Sequence, residues 1–131
     1  PLASGKLYWE NSGGRMNRKE SGTQGEALAL AYLLKQGYSL LAQNYRAERC
    51  EVDLILRDGD TIAFVEVKAR ANAAYGLGRE AVTKKKQQNI IKVAQAYLAA
   101  CGMEDANARF DVVEVDLAAN TVAHIPGAFT L

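Results

Sequence analysis

Between Gly25 and Gln36 the apolar residues Ala27, Leu30, Ala31 and Leu34 recur at the spacing of one helical face. Ser21 or Thr23 can cap the start, and Gly37 can adopt the left-handed conformation that stops a helix. The spacing predicts a first helix there. The period then changes. Tyr38–Tyr45 reads as a strand, and Glu51–Arg57 and Thr61–Ala69 are rich in β-formers. Asp58-Gly59-Asp60 separates the latter two and is a hairpin signal, so they are expected to pair antiparallel. After a looser stretch containing Gly76 and Gly78, Thr83 can cap a second helix. Its apolar face is Ile90, Val93, Ala94, Tyr97, Leu98 and Cys101, and Gly102 ends it. Arg109–Asp116 is a fourth strand, and Thr121–Ile125 a short fifth after a turn at 118–120.

The order is α, three strands, α, strand, strand, and a crossover helix favours a parallel junction between the third and fourth strands. The expected class is α/β: a mixed sheet flanked by helices, with a short extra C-terminal strand. Residues 1–20 show no sustained period and are expected to form a flexible N-terminal arm, leaving 21–131 as one domain. A chain of 131 residues suits a single core.

Composition changes this picture little. Apolar residues make up 49% and charged residues 24%, an ordinary globular mixture. No apolar run approaches the roughly 20 residues that span a bilayer, and the N-terminus shows no signal-peptide pattern, so a soluble, cytoplasmic protein with no membrane partner is expected. Cys50 and Cys101 lie far apart in no metal-binding or redox motif, and are expected to be reduced thiols. His124, the only histidine, lies in a short apolar strand; a structural role is expected, and histidine-based nuclease or zinc chemistry is disfavoured. The net charge of +1 says nothing about nucleic acid, and the clusters Arg15, Arg18, Lys19 and Lys84, Lys85, Lys86 would ordinarily be solvated surface charge.

The chemistry lies in the central hairpin. Alternation puts Glu51, Asp53 and Ile55 on one face of their strand, and Ile62, Phe64, Glu66 and Lys68 on one face of the next. With Gly59 and Asp60 as the central turn residues, counting outward sets Asp53 opposite Glu66 and Glu51 opposite Lys68. Opposed side chains have Cβ atoms about 5 Å apart, where like charges are unfavourable. A pair of carboxylates beside Phe64 and Ile62 therefore calls for a cation between them. Mg²⁺ or Mn²⁺, which take one or two carboxylates plus water and phosphate, suit Asp53 and Glu66 better than zinc. Lys68, roughly 6.6 Å along the strand from Glu66, can stabilise charge growing on a phosphate. Glu51 is a candidate to reach the metal through water or to pair with Lys68. An isolated Glu-x-Lys is usually a surface ion pair; the register-matched second carboxylate and the apolar flanks point to chemistry here.

This constellation resembles the PD-(D/E)XK nuclease superfamily, whose α-β-β-β-α-β restriction-endonuclease-like core carries an Asp on the second strand and Glu-x-Lys on the third, here Asp53, Glu66 and Lys68. The chain is more closely similar to the YraN-like family of bacterial endonuclease-like proteins, itself similar to archaeal Holliday junction resolvases. The resemblance covers about 25–129 and rests on Gly25-Glu26, Asn44-Tyr45-Arg46, Glu51-Val52-Asp53-Leu54-Ile55, Phe64 to Arg70, Lys86, and Arg109 to Val113. It implies that Glu26 joins Asp53 and Glu66 as a catalytic and metal-holding acid, a role spacing alone does not show; an acid near a helix start otherwise reads as a dipole effect. It also implies that Lys86, Arg46 and Arg70 contact nucleic acid. The sequence departs from the pattern at Cys50, where a Gly usually precedes Glu51; Gly permits backbone conformations that Cys disfavours, which bears on the aim of Glu51 and Asp53.

The reading is a Mg²⁺- or Mn²⁺-dependent endonuclease acting on DNA, by analogy on branched DNA, with a homodimer implied by the related resolvases. The alternative is a nucleic-acid-binding module whose acidic site is vestigial or completed by a partner. A protein-interaction module using the acidic cleft would lack the salt-sensitive binding that phosphate recognition requires.

Overall fold

In the computed structural model, residues 18–70 and 82–130 are described. The elements are α1 (Arg18–Lys35), β1 (Ser39–Ala47), β2 (Cys50–Asp58), β3 (Thr61–Arg70), α2 (Lys84–Ala100), β4 (Asn107–Asp116) and β5 (Thr121–Phe129). They form the expected α/β architecture: one sheet of order β1-β2-β3-β4-β5, parallel only between β3 and β4. The exception is β5, which is not the short strand expected: it runs 9 residues, its pairing with β4 continuing past a register shift to Phe110↔Phe129. The α2 crossover supplies the long connection that a parallel junction needs. α1 lies on one face, mainly across β3 and β4, and α2 on the other, across β1 and β2.

Both helices stop as their glycines predict. Tyr38 N donates to Leu33 O and Gly37 N to Leu34 O, with Gly37 at φ 99°; Met103 N donates to Leu98 O and Gly102 N to Ala99 O, with Gly102 at φ 67°. These are Schellman stops, in which a left-handed residue returns two N–H groups to orphan carbonyls. Thr83 caps α2, its hydroxyl accepting from Lys86 N at 3.1 Å.

The face of α1 differs from the expected one. Ala29 and Leu33 are fully buried and Gly25 and Ser21 lie beneath them, whereas Ala27, Ala31 and Leu34 are exposed, Leu34 by 45%. Apolar residues nearly surround the helix in the run Ala27-Leu28-Ala29-Leu30-Ala31-Tyr32-Leu33-Leu34. Periodicity therefore leaves the choice open, and the small Gly25 and Ala29 win because they let the helix axis approach the sheet. α1 also begins earlier than expected: Ser21 and Thr23 lie within it, as do Arg18 to Glu20, which the arm boundary at residue 20 had excluded. Residues 1–17 lie outside the described residues.

Two cores result. Leu54, Leu56, Ala63, Val65, Val113 and Val115 pack under α1. Val52, Ile55, Ile62, Phe64 and Phe110 pack under Ile90, Val93, Tyr97 and Leu98 of α2, with Phe64 stacked on Phe110 at 5.7 Å. The β2–β3 register is the expected one, Asp58↔Thr61 through Leu54↔Val65. The hairpin turns on Gly59 at φ 59°, the first central position, where positive φ favours glycine.

The β1–β2 hairpin turns on less suitable residues. Ala47 pairs with Cys50, and the two residues between, Glu48 and Arg49, both have positive φ (53° and 63°). Cys50 takes no left-handed conformation, so the departure from Gly at that position is accommodated within β2 and the strain falls on the turn. A left-handed non-glycine residue costs about 1 to 2 kcal/mol, so Arg49→Gly is expected to raise stability by roughly 1 kcal/mol, less the entropy glycine adds to the unfolded chain. A higher urea midpoint with an unchanged slope would confirm it; a lower midpoint would show that the turn is held by contacts of Arg49.

Candidate active site

The antiparallel ladder between β2 and β3 ends at Leu54↔Val65, one residue short of the site. Continued in register it would pair Val67 with Val52. Instead the Asp53 carboxylate enters the gap, its Oδ2 accepting from Val67 N at 2.7 Å. A buried backbone N–H must find an acceptor, and where the strands part a side chain supplies it. Val52 consequently packs under α2 although Leu54 and Leu56 pack under α1. Asp53 and Glu66 do come together, within hydrogen-bonding reach of each other, but through a local opening of the sheet and not as a regular cross-strand pair.

Glu66 is 5% exposed, and its Oε1 is buried with no hydrogen-bond partner among the described residues. Lys68 Nζ and Lys86 Nζ each stand 3.6 Å from its Oε2. That is longer than a charge-assisted hydrogen bond, so both ammonium groups keep donors for another anion. Burial first, and then the charge of Asp53, raise the Glu66 pKa to about 7 despite the two lysines. Asp53 is also raised, by burial, partly offset by the Val67 N–H and by Lys86.

Glu26 reaches the same place from α1. It is the ninth residue of the helix, inside the third turn, so a stabilising effect of the helix N-terminus does not account for it. Its pKa is raised to about 7 by burial, then by Asp53 and Glu51. Gly25 sets its approach, since a Cβ there would collide with that of Ala69 on β3. Gly25→Ala is therefore expected to destabilise by roughly 1 to 3 kcal/mol through overpacking. That exceeds the helix-propensity gain of about 1 kcal/mol. Urea unfolding decides it: a stabilised variant would mean that α1 can shift without penalty.

Glu51 does not face Lys68. It pairs with Arg46 at 3.8 Å, and with the Asn44 amide turned so that its nitrogen faces the acids, that nitrogen donates to Glu51 Oε2 at 3.3 Å. Arg70 ends β3 beyond Lys68, its carbonyl accepting from Leu117 N, and Lys84 and Lys85 are exposed in the first turn of α2. Asn44 is the residue that reading the sequence for chemistry overlooked. Its signal is an Asn in the middle of a strand, where the type is depleted unless the backbone departs from β; here φ is 49°.

Four acids thus gather where β2 and β3 part, with Lys68 and Lys86 on the α2 side. Among the described residues no three His, Cys, Asp or Glu side chains surround a common point in an arrangement that would by itself hold a metal ion. The donor set nonetheless fits a hard divalent cation of the magnesium type, which needs only one or two carboxylates and takes water and phosphate for the rest. The partnerless Glu66 Oε1 is the oxygen left for it.

Residues 25–115 match the model of the uncharacterised protein family UPF0102, a span that holds every residue of this site. The chain belongs to this family. A UPF0102 protein of Geobacter sulfurreducens is 45% identical over 90% of this chain and 94% of its own length. One of Chlorobium chlorochromatii is 48% identical over 84% of this chain and 91% of its own length. One of Syntrophus aciditrophicus is 50% identical over 74% of this chain and 76% of its own length. The UPF0102 family is the YraN-like one that the sequence resembles, and in this member no helix among the described residues is long and apolar enough to cross a membrane.

Proposed function

We propose that this UPF0102 protein is a cytoplasmic metal-dependent endonuclease that hydrolyses phosphodiester bonds in DNA. The observation that carries the reading is the Asp53–Glu66 pair, two carboxylates pressed together at the parting of two strands, with Lys68 and Lys86 beside them. A fold optimised for stability alone would seldom bury such a pair.

Asp53 and Glu66 would hold Mg²⁺ or Mn²⁺, with Glu26 completing the acidic wall. When bound, the ion acidifies the attacking water and offsets phosphate charge. Asp53 is aimed by the Val67 N–H, so its carboxylate needs little reorganisation. Lys68 presents an ammonium to the reacting phosphate and stabilises the charge that grows there. Hydrolysis places a hydroxyl on phosphorus, breaks the bond to the leaving oxygen and delivers a proton to that oxygen.

Lys86 supports phosphate binding on separate grounds. The first turn of α2 carries Lys84, Lys85 and Lys86 and no acid, although cations oppose the helix dipole at an N-terminus. Their placement suits a phosphate backbone met by the helix start and the ammonium groups together. Arg46 and Arg70, at the ends of strands bordering the site, would extend that track. A cut through both strands of a duplex needs two such sites, which a pair of these chains supplies.

The test is cleavage of radiolabelled linear, single-stranded and four-way-junction DNA with Mg²⁺ or Mn²⁺, comparing the parent with Asp53→Asn and Glu66→Gln. Metal-dependent cutting lost in both variants supports the reading, and the preferred substrate shows whether branched DNA is the target. Salt-sensitive binding without cutting of any substrate would replace it with a non-catalytic nucleic-acid-binding role.

A further inference from the structure

We infer that Asn44 is the positioning residue of the acidic site, a strand residue whose distorted backbone aims its amide at Glu26 and so sets the carboxylate that α1 contributes. The inference rests on the proposed metal site and adds to it a residue that touches neither metal nor substrate.

Three observations converge on Asn44. Its backbone is left-handed, φ 49°, in the middle of β1, between the regular pairs Gln43↔Leu54 and Tyr45↔Val52. A regular strand residue there would direct its side chain along the pleat; the distortion stands opposite Asp53, where β2 itself departs from β3. Second, with its amide turned so that the nitrogen faces the acids, Asn44 donates to Glu26 Oε1 at 2.9 Å and to Glu51 Oε2 at 3.3 Å. The opposite orientation would set its carbonyl oxygen against two acceptors. Third, Glu26 stands beside Asp53 and Glu51, whose charges disfavour its own, and the Asn44 amide is the neighbour that favours the Glu26 carboxylate.

Asn is suited to both tasks. It tolerates the left-handed region better than other side chains except glycine, and its NH₂ offers two donors, one for each carboxylate. Glutamine, serine or alanine would lose the backbone tolerance, the reach or the donor. Partners that orient a metal-binding group in this way typically govern affinity by 10 to 100-fold.

The test uses the full chain and Mn²⁺ alone as probe, measured by calorimetry, with Asn44→Gly, Glu26→Gln and the double variant. Glycine accepts φ 49° without strain and lacks the amide, so Asn44→Gly is expected to retain the thermal stability of the parent while binding Mn²⁺ about tenfold or more weakly. Because Asn44 acts through Glu26, the double variant is expected to bind no more weakly than Glu26→Gln alone. Unchanged Mn²⁺ affinity in Asn44→Gly, or losses that simply add in the double variant, would overturn the role of Asn44 and leave the metal site standing. A parent that binds no Mn²⁺ at all would overturn the metal site itself, and this inference with it. If Asn44→Gly is markedly destabilised, Asn44 is a fold residue and the inference fails.

Discussion

Glu66→Gln is expected to lower metal-dependent cleavage by at least about 10²-fold, the scale of losing one electrostatic stabiliser, while making the metal-free protein more stable at pH 8. The two effects have one cause. The Glu66 carboxyl is held at about 7 in the folded protein against an ordinary value of 4.5, because burial and Asp53 disfavour its charge. A folded-state pKa above the unfolded value means that the fold binds the proton more tightly. The associated stability is fully present below about 4.5 and is lost as pH rises through about 7. Above that, the charged site costs up to roughly 3 kcal/mol by the linkage relation. Glutamine carries no charge to penalise, so its advantage grows across that window and is flat beyond it. Asp53→Asn should behave in the same direction, since Asp53 is also raised by burial. Urea unfolding with a chelator at pH 5, 6, 7 and 8 reads the effect. A glutamine variant less stable than the parent at pH 8 would show that the carboxylate is structural and satisfied, and would remove the main support for the proposed site.

The second large effect lies in the middle of β4, at the residue that pairs with Val65. Asp111 is fully buried, and its two oxygens accept from Arg109 Nε at 2.9 Å, Arg109 Nη2 at 2.9 Å, Gly127 N at 3.0 Å and His124 Nε2 at 2.8 Å. Arg109 continues to Asp58 and to the Tyr38 hydroxyl, joining β2, β4 and β5 to the link between α1 and β1. Asp111→Ala strips the acceptor from all of these donors. Breaking a buried pair by removing one partner costs about 3 to 5 kcal/mol; because the Arg109 side chain is 25% exposed and keeps Asp58, the lower end is expected. Thermal unfolding at pH 7 should fall by roughly 10 °C. Burial would raise the Asp111 pKa, but hydrogen bonds from His124, Arg109 and Gly127 outweigh it and the net shift is downward. The stability so gained is present above the ordinary Asp value of 3.8 and is lost as pH falls through the lowered one. The parent should therefore lose stability to acid more steeply than Asp111→Ala. A loss under about 1 kcal/mol would mean that water replaces the carboxylate, contrary to the usual cost of unmade buried bonds. His124 thus has the structural place expected of a lone histidine in an apolar strand, edge-on to Tyr38 at 5.7 Å.

Most of the frame was legible along the chain because it is local. Gly37, Gly102 and Thr83 end or start their helices through bonds made within one turn, and Gly59 fixes the β2–β3 register through one tight hairpin. That register is why Asp53 and Glu66 could be named as neighbours before any tertiary contact was known. Glu26 came only from the family resemblance, since no local rule ties a helix acid to a strand acid. The buried side of α1 could not be read from a segment that is apolar nearly all round, and the small residues Gly25 and Ala29 decided it by permitting close approach to β3.

The site itself divides in the same way. Sequence alone determined which residues carry charge, which strands hold them and how the hairpin counts them off, because turn chemistry and alternation act over a few residues. The tertiary structure decided that the ladder stops at Leu54↔Val65, that Asp53 turns to take the Val67 N–H, that Glu51 pairs with Arg46, and that Asn44 takes a left-handed backbone opposite Asp53. Each of those is a competition for a partner among β1, β2, β3 and α1, and only the packed sheet brings the competitors within a hydrogen bond of one another.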